Sequence, residues 1–408
     1  MAGWKPVNKY AVALTFLFVS GCGGSSDTAT PATTIAPGAT QAPTIAPGAT
    51  QAPTTTAAST TTAAPTTTMT APAATAAPTT TTTVPAATTS TAAPTTVPIV
   101  RGTPDPELEV LTYLPEKAWP GTTLFADKHI QTRPRIVEVN MLGEVVWEYL
   151  IPEELRAFNN PGFDVTAVPG GNVLFVLPRH GVYEVDRQGN TVWSFIDEKV
   201  SHDVDRLPNG NTLIAWGGGD GHDDPQVREI SPSGETVWAW YARDHYSDSS
   251  FSKIERDGWT HTNSAERLPN GNTLIGLRNF HIVVEVEPDG SVVNTVGSGL
   301  LVNPHGSKLL KNGNVLVINQ FAMAALEIRP ATNKVVWTSR AVSMDNVKPL
   351  RDADRLPNGN TILTGSTKIL EMTSEGEVVW KLVLKDQRYR GQDAPLLGFY
   401  SSERIGSP

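Results

Sequence analysis

His202-Asp203-Val204-Asp205-Arg206-Leu207-Pro208-Asn209-Gly210-Asn211-Thr212-Leu213 recurs along this chain. Ser264-Ala265-Glu266-Arg267-Leu268-Pro269-Asn270-Gly271-Asn272-Thr273-Leu274 is a second copy, and Asp352-Ala353-Asp354-Arg355-Leu356-Pro357-Asn358-Gly359-Asn360-Thr361-Ile362 a third. Looser copies occupy 165–174 and 307–316. Each reads as strand, tight turn, strand. Asn-Gly between extended runs predicts a hairpin with a type I′ turn, in which both residues take positive φ. Self-similarity at this length means a repeat architecture.

Aligned on the turn, the unit has four strands. After His202–Leu207 and Thr212–Trp216 come Val227–Ile230, a Ser233-Gly234 turn and Thr236–Trp238. The closing Trp recurs as Trp147, Trp193, Trp337 and Trp380, with Asn294 in its place in one unit. Four antiparallel strands per 40–45 residues is the pattern of a propeller blade. Full units start near Phe163, His202, His261, His305 and Arg351. A partial unit at 122–147 lacks a first strand, and Ser401-Ser402-Glu403-Arg404-Ile405 supplies it from the other end of the chain. The expected fold is an all-β, six-bladed β-propeller over 101–408, closed by a C-terminal strand so that no sheet edge stays open.

The first hundred residues are of another kind. Lys5 and Lys9 precede a short apolar run, 10–19, that ends at Ser20-Gly21-Cys22. This reads as a lipoprotein signal peptide over 1–21, with Cys22, the one cysteine in the chain, as the lipidated residue. Residues 22–100 read as a disordered stalk rich in Thr, Ala and Pro, unable to bury enough apolar surface to offset its ordering entropy. The expected location is the cell envelope, lipid-anchored rather than membrane-spanning, with the domain on the periplasmic or extracellular side. Lys5, Lys9 and Asp27 are the only charged residues before Arg101, so the chain's net charge of −9 divides into +1 for the first hundred residues and −10 for the folded part. That sign disfavours nucleic acid as a partner.

In a propeller the first strand of each blade lines the central channel, so residues at one repeat position form a ring. In register with His202 are Phe163, Asn263, His305, Arg351 and Tyr400. His261, two residues before Asn263, shares its strand face, whereas Asp203, next to His202, is expected to face away. Three histidines from three blades can ligate zinc. No carboxylate shares the ring position, however, so anion chemistry is favoured, with no metal and no cofactor. The remaining histidines, His129, His180, His222, His245 and His281, read as surface or supporting residues. The acidic, Gly-containing loop 220–224 has the residue types of a calcium loop, but it reads rather as a solvated turn.

Trp259-Thr260-His261-Thr262-Asn263-Ser264, Arg278-Asn279-Phe280-His281 and Asn303-Pro304-His305-Gly306 resemble segments of the bacterial arylsulfate sulfotransferases, and the resemblance covers about 101–408. It implies a propeller of the envelope that moves a sulfuryl group from a phenolic sulfate donor to a phenolic acceptor without a nucleotide sulfate. It implies His305 as nucleophile, His202 as the first channel histidine, and His261, Asn263 and Arg278 as sulfate contacts. Residues 101–121 are too short for the N-terminal β-sandwich of longer members, so a short form is expected. The chemistry is self-consistent: imidazole attacks sulfur, Arg and Asn hold the spreading negative charge, and His202 or His261 serves the phenol oxygen as acid and base. Arg351, Tyr400 and Phe163 are candidate substrate-binding residues. The alternatives are a ligand-binding propeller without turnover and a scaffold or quinoprotein-like propeller. His305 separates the first reading from both, because only a nucleophile requires imidazole there.

Overall fold

The computed structural model describes residues 99–158, 163–247, 250–339, 349–385 and 398–406. The signal peptide, Cys22 and the stalk up to residue 98 lie outside the described residues. The described residues form one compact unit of six antiparallel sheets. Blade one is Gly121–Asp127, Arg135–Val139 and Glu144–Leu150, completed on its inner side by Phe399–Gly406. Blades two to six begin with the inner strands Val165–Ala167, Val200–Arg206, Thr262–Arg267, Pro304–Leu309 and Leu350–Arg355. Ring closure by the C-terminal strand is as the sequence predicts. Two outer strands are additional: Thr103–Pro104 pairs with the edge of blade one and Leu108–Tyr113 with the edge of blade six.

The repeated turn differs from expectation. Gly210 has φ 86° while Asn209 stays at negative φ, and Gly210 N donates to Leu207 O at 2.9 Å. The turn is therefore a type I turn over Pro208-Asn209 followed by a left-handed glycine, the three-residue hairpin loop. Proline fixes the φ that its first central position needs.

The rest of the repeat is an inter-blade clasp. Arg206 of blade three stacks on Trp193 of blade two at 4.6 Å and donates to Glu184 at 2.6 Å. Arg267 does the same to Trp238 and Glu229, Arg355 to Trp337 and Glu327, and Arg404 to Trp380 and Glu371. Each of these Trp indoles donates to a turn carbonyl of the following blade. The second Asn of the motif holds the Glu of its own blade: Asn211 to Glu229, Asn272 to Glu285, Asn360 to Glu371. Between blades one and two, Arg187 takes the arginine's place over Trp147. Between blades four and five both partners are missing: Asn294 stands at the Trp position and Leu309 at the Arg position. There Asn333 accepts from Gly297 N at 2.7 Å and donates to Ser298 O at 3.0 Å.

Candidate active site

The inner strands carry β-bulges at their starts, in blades three to six and in the closing strand. A bulge breaks the period-two alternation of side chains. Adjacent residues therefore both reach the channel, and Asp203 lines it beside His202, contrary to the expectation from strict alternation.

The ring position opens into a cavity of about 330 Å³ lined by His202, His261, Arg278, His305, Arg351 and Tyr400, with Arg179 and Asp257 among its other walls. Candidates from blade three, blade four, blade five, blade six and the closing strand converge here. His305 is buried, with Nδ1 3.3 Å from the Tyr400 hydroxyl and Nε2 without a hydrogen-bond partner among the described residues. Burial, then the positive charge of Arg351, holds its pKa well below the ordinary histidine value, so the ring is neutral with a lone pair available. Arg351 lies 5.6 Å from the Tyr400 ring, and its Nε and one Nη have no partner among the described residues.

His202 and His261 face each other through their Nε2 atoms at 3.2 Å. His261 Nδ1 is 2.6 Å from the carbonyl oxygen of Asp257, so Nδ1 carries the proton. In neutral His261, Nε2 then accepts, and His202 donates from its own Nε2. Burial pushes the pKa of His261 down; the Asp257 carbonyl opposes that and Arg278 adds to it.

His261 sits at φ 48°, a left-handed conformation that a residue with a Cβ adopts at a cost. Asp220 holds it there. The Asp220 carboxylate accepts from His261 N at 3.0 Å, Thr260 N at 3.0 Å and Thr260 Oγ1 at 2.7 Å, and its carbonyl accepts from Trp259 N. Asp220 is buried, so the loop 220–224 is not a solvated turn throughout. Asn279 donates to the carbonyls of Arg256 and Gly258 and fixes the same turn from the other side. His281 has a parallel role for the nucleophile candidate: its Nδ1 accepts from Asn303 N at 3.1 Å, just ahead of Pro304-His305.

Two candidates stand elsewhere. Asn263 donates to Pro304 O at 3.0 Å and lines the lower part of the channel, so it braces the His305 strand. Phe163 is fully buried against Phe175, in the core between blades one and two, and does not line the cavity. Lys128 Nζ lies 5.8 Å from the Phe163 ring, buried and without a hydrogen-bond partner among the described residues. Burial, with some repulsion from Arg351, lowers its pKa to about 7. Sequence reading missed Lys128, Arg179, Asp220 and Asp257, which fall in loops outside the repeat. Of the other histidines, His129 is buried in an ion network with Asp127 and Arg135, while His180, His222 and His245 stack on Phe158, Trp259 and Trp240.

Residues 116–310 match the model of the arylsulfotransferase (ASST) family. That stretch is arylsulfotransferase-family sequence. It contains His202, His261, Asn263, Arg278 and His305, while Arg351 and Tyr400 reach the same cavity from beyond it. No curated protein matches the chain. Among solved structures, a Bacteroides caccae protein of unknown function superposes with a TM-score of 0.51 at 22% identity, over 68% of this chain and 97% of that one. A streptogramin B lyase gives a TM-score of 0.46 at 10% identity over 69% and 89% of the two chains. A virginiamycin B lyase from Staphylococcus aureus gives 0.43 at 10% identity over 67% and 87%. The first likeness shows the fold alone, and nothing further is taken from the two lyases.

Proposed function

We propose that the protein is an aryl sulfotransferase that works without a nucleotide donor and passes the sulfuryl group through a covalent sulfohistidine at His305. The observation that carries this is His305 itself, neutral and buried, with Nε2 unpartnered among the described residues, in a cavity also lined by Arg278 and Arg351. The Nε2 lone pair attacks sulfur, the S–O bond to the aryl oxygen breaks, and the phenolate leaves. His305 keeps its Nδ1 proton, donated to the Tyr400 oxygen. Arg278 and Arg351 hold the charge on the sulfuryl oxygens, where a planar fork suits a tetrahedral oxyanion. A proton carried by the His202–His261 pair in its acid form goes to the departing phenolate. In the second half, the acceptor phenol attacks sulfur, the N–S bond breaks, and the phenol's proton returns to the pair. Phenolic sulfates are the donors and phenols the acceptors. In this reading Cys22 is a lipid anchor and the propeller faces the periplasm or the exterior.

The test is release of p-nitrophenol from p-nitrophenyl sulfate, with and without phenol, beside a His305→Asn variant. Acceptor-dependent release that disappears in the variant, with the added mass of one sulfuryl group on His305 when acceptor is withheld, supports the reading. No release across a panel of aryl sulfates and phenols removes it and leaves a ligand-binding propeller.

A further inference from the structure

The cavity holds one more cation than a simple aryl sulfate needs. Its walls carry Arg278, Arg351 and Arg179 against one carboxylate, Asp257. Arg278 and Arg351 lie deep, beside the histidines. Arg179 is at the mouth, with its side chain 49% exposed and that of Asp257 59% exposed. The two form an ion pair at 2.5 Å across the opening, from the corner of blade two to the insertion ahead of blade four. Both backbones are fixed. Arg179 has φ 63° and donates its N–H to Val200 O at 2.9 Å, and its side chain passes over Gly218, where a Cβ would come within 3.1 Å of Arg179 Cγ. Asp257 has φ 53°, and its carbonyl is engaged by His261 Nδ1. The side-chain carboxylate, whose second oxygen lies 3.5 Å from His261 Nδ1, is the part left to exchange. An exposed ion pair of this kind contributes about 0–1 kcal/mol, so an incoming anion displaces Asp257 at little cost. Guanidinium binds a carboxylate or sulfate with two parallel hydrogen bonds.

We propose that Arg179 is a specificity-determining residue which binds a second anionic group on the far side of the substrate's aromatic ring, with Asp257 as the carboxylate that this group displaces. The preferred substrates are then phenols and aryl sulfates that also carry a carboxylate or a second sulfate. This rests on the sulfotransfer reading of the cavity. With Arg278 and Arg351 engaged by the sulfuryl group, Arg179 is the guanidinium left over, held only by an exposed carboxylate whose place a second anionic group takes.

The experiment measures binding of two sulfonates whose C–S bond is not transferred, 4-sulfobenzoate and benzenesulfonate, to the full chain at low salt. The wild type is expected to bind the dianion about tenfold more tightly, close to 1.4 kcal/mol. Arg179→Met should abolish that preference, Arg179→Lys should keep part of it, and Asp257→Asn should enlarge it. In turnover, the kcat/KM ratio of 4-sulfooxybenzoate to p-nitrophenyl sulfate should fall in Arg179→Met by a similar factor. Equal binding of the two sulfonates by the wild type, or a preference that survives Arg179→Met, overturns the proposal. Turnover with no dianion preference removes this inference alone. Dianion-selective binding with no turnover of either sulfate removes the sulfotransfer reading and leaves Arg179 as the anion site.

Discussion

At one repeat position the inner strands present Phe163, His202, Asn263, His305, Arg351 and Tyr400; three residues further along they present Thr166, Asp205, Glu266, Lys308, Asp354 and Glu403. The same scaffold thus builds two tiers of opposite character. In the lower tier, acceptors are bound to backbone donors of the next blade. Glu266 accepts from Leu309 N and Glu403 from Ala167 N, both at 2.7 Å, while Asp203, between the tiers, accepts from Ala265 N at 2.7 Å. These side chains satisfy the donors that inner-edge strands leave open. In the upper tier, His305 Nε2 and two Arg351 nitrogens have no partner among the described residues. Satisfied polar groups make the ring; unsatisfied ones leave room for a ligand. The contrast also sets a field along the channel, positive at the histidine end and negative at the other, which draws an anion to one end only.

The contrast breaks first at His305. His305→Asn should lower transfer by at least about 10³-fold with the thermal midpoint unchanged, read by p-nitrophenol release and calorimetry. Arg278→Met should lower kcat by about 10²–10³-fold, the loss typical of one charge-stabilising donor, while Glu266→Gln in the lower tier leaves turnover at the wild-type level. Lys128→Met should stabilise the fold by about 1–3 kcal/mol at pH 7 by removing a buried amine without a partner, measured by urea unfolding. Its gain should shrink as pH rises from about 7, the lowered value, towards 10.5, the ordinary one, where the unfolded amine is also neutral.

The smallest effect is a slope. Burial raises Glu266 and Asp352 to about 7 and Asp205 to about 6, with Lys308 opposing and the neighbouring carboxylates adding. A carboxyl whose folded pKa is raised binds more protons folded than unfolded, so its contribution falls as pH rises from its ordinary value to about 7. His261 and His305 act the other way up to 6.5, their ordinary value. The combined variant Glu266→Gln, Asp352→Asn should therefore lose less stability than the wild type between pH 5 and pH 8, and an identical slope in both would refute the assignment. Lys308, 47% exposed, shows that this lumen is wet, which keeps the effect modest.

The repeat made the blade count, the split blade and the ring position legible, because period and hydrophobic pattern are carried by local residues. It did not disclose the bulges, which insert a residue without a signature, and so it turned Asp203 the wrong way. Asn-Gly alone suggested type I′, whereas Pro208 before it selects type I plus a left-handed glycine. Phe163 shares the ring register but follows the apolar packing against Phe175 into the core. Arg179, Asp220 and Asp257 escaped because loops carry no period, and their pairing across blades depends on the closed ring. Arg404–Glu371, with both side chains fully buried, shows how much of the charge in this acidic chain is spent on joining blades.

The missing Trp and Arg between blades four and five make that joint unlike the others. A ring of equal joints resists breathing equally all round, whereas a ring with one simpler joint breathes there. His261 and Asn263 stand on one side of it and His305 on the other, so amide exchange should run fastest along Val292–Val296 and Pro304–Leu309. Each such opening draws the histidine pair away from His305. The residence time of the closed ring, rather than the stability of any single blade, then sets how long the constellation stays assembled.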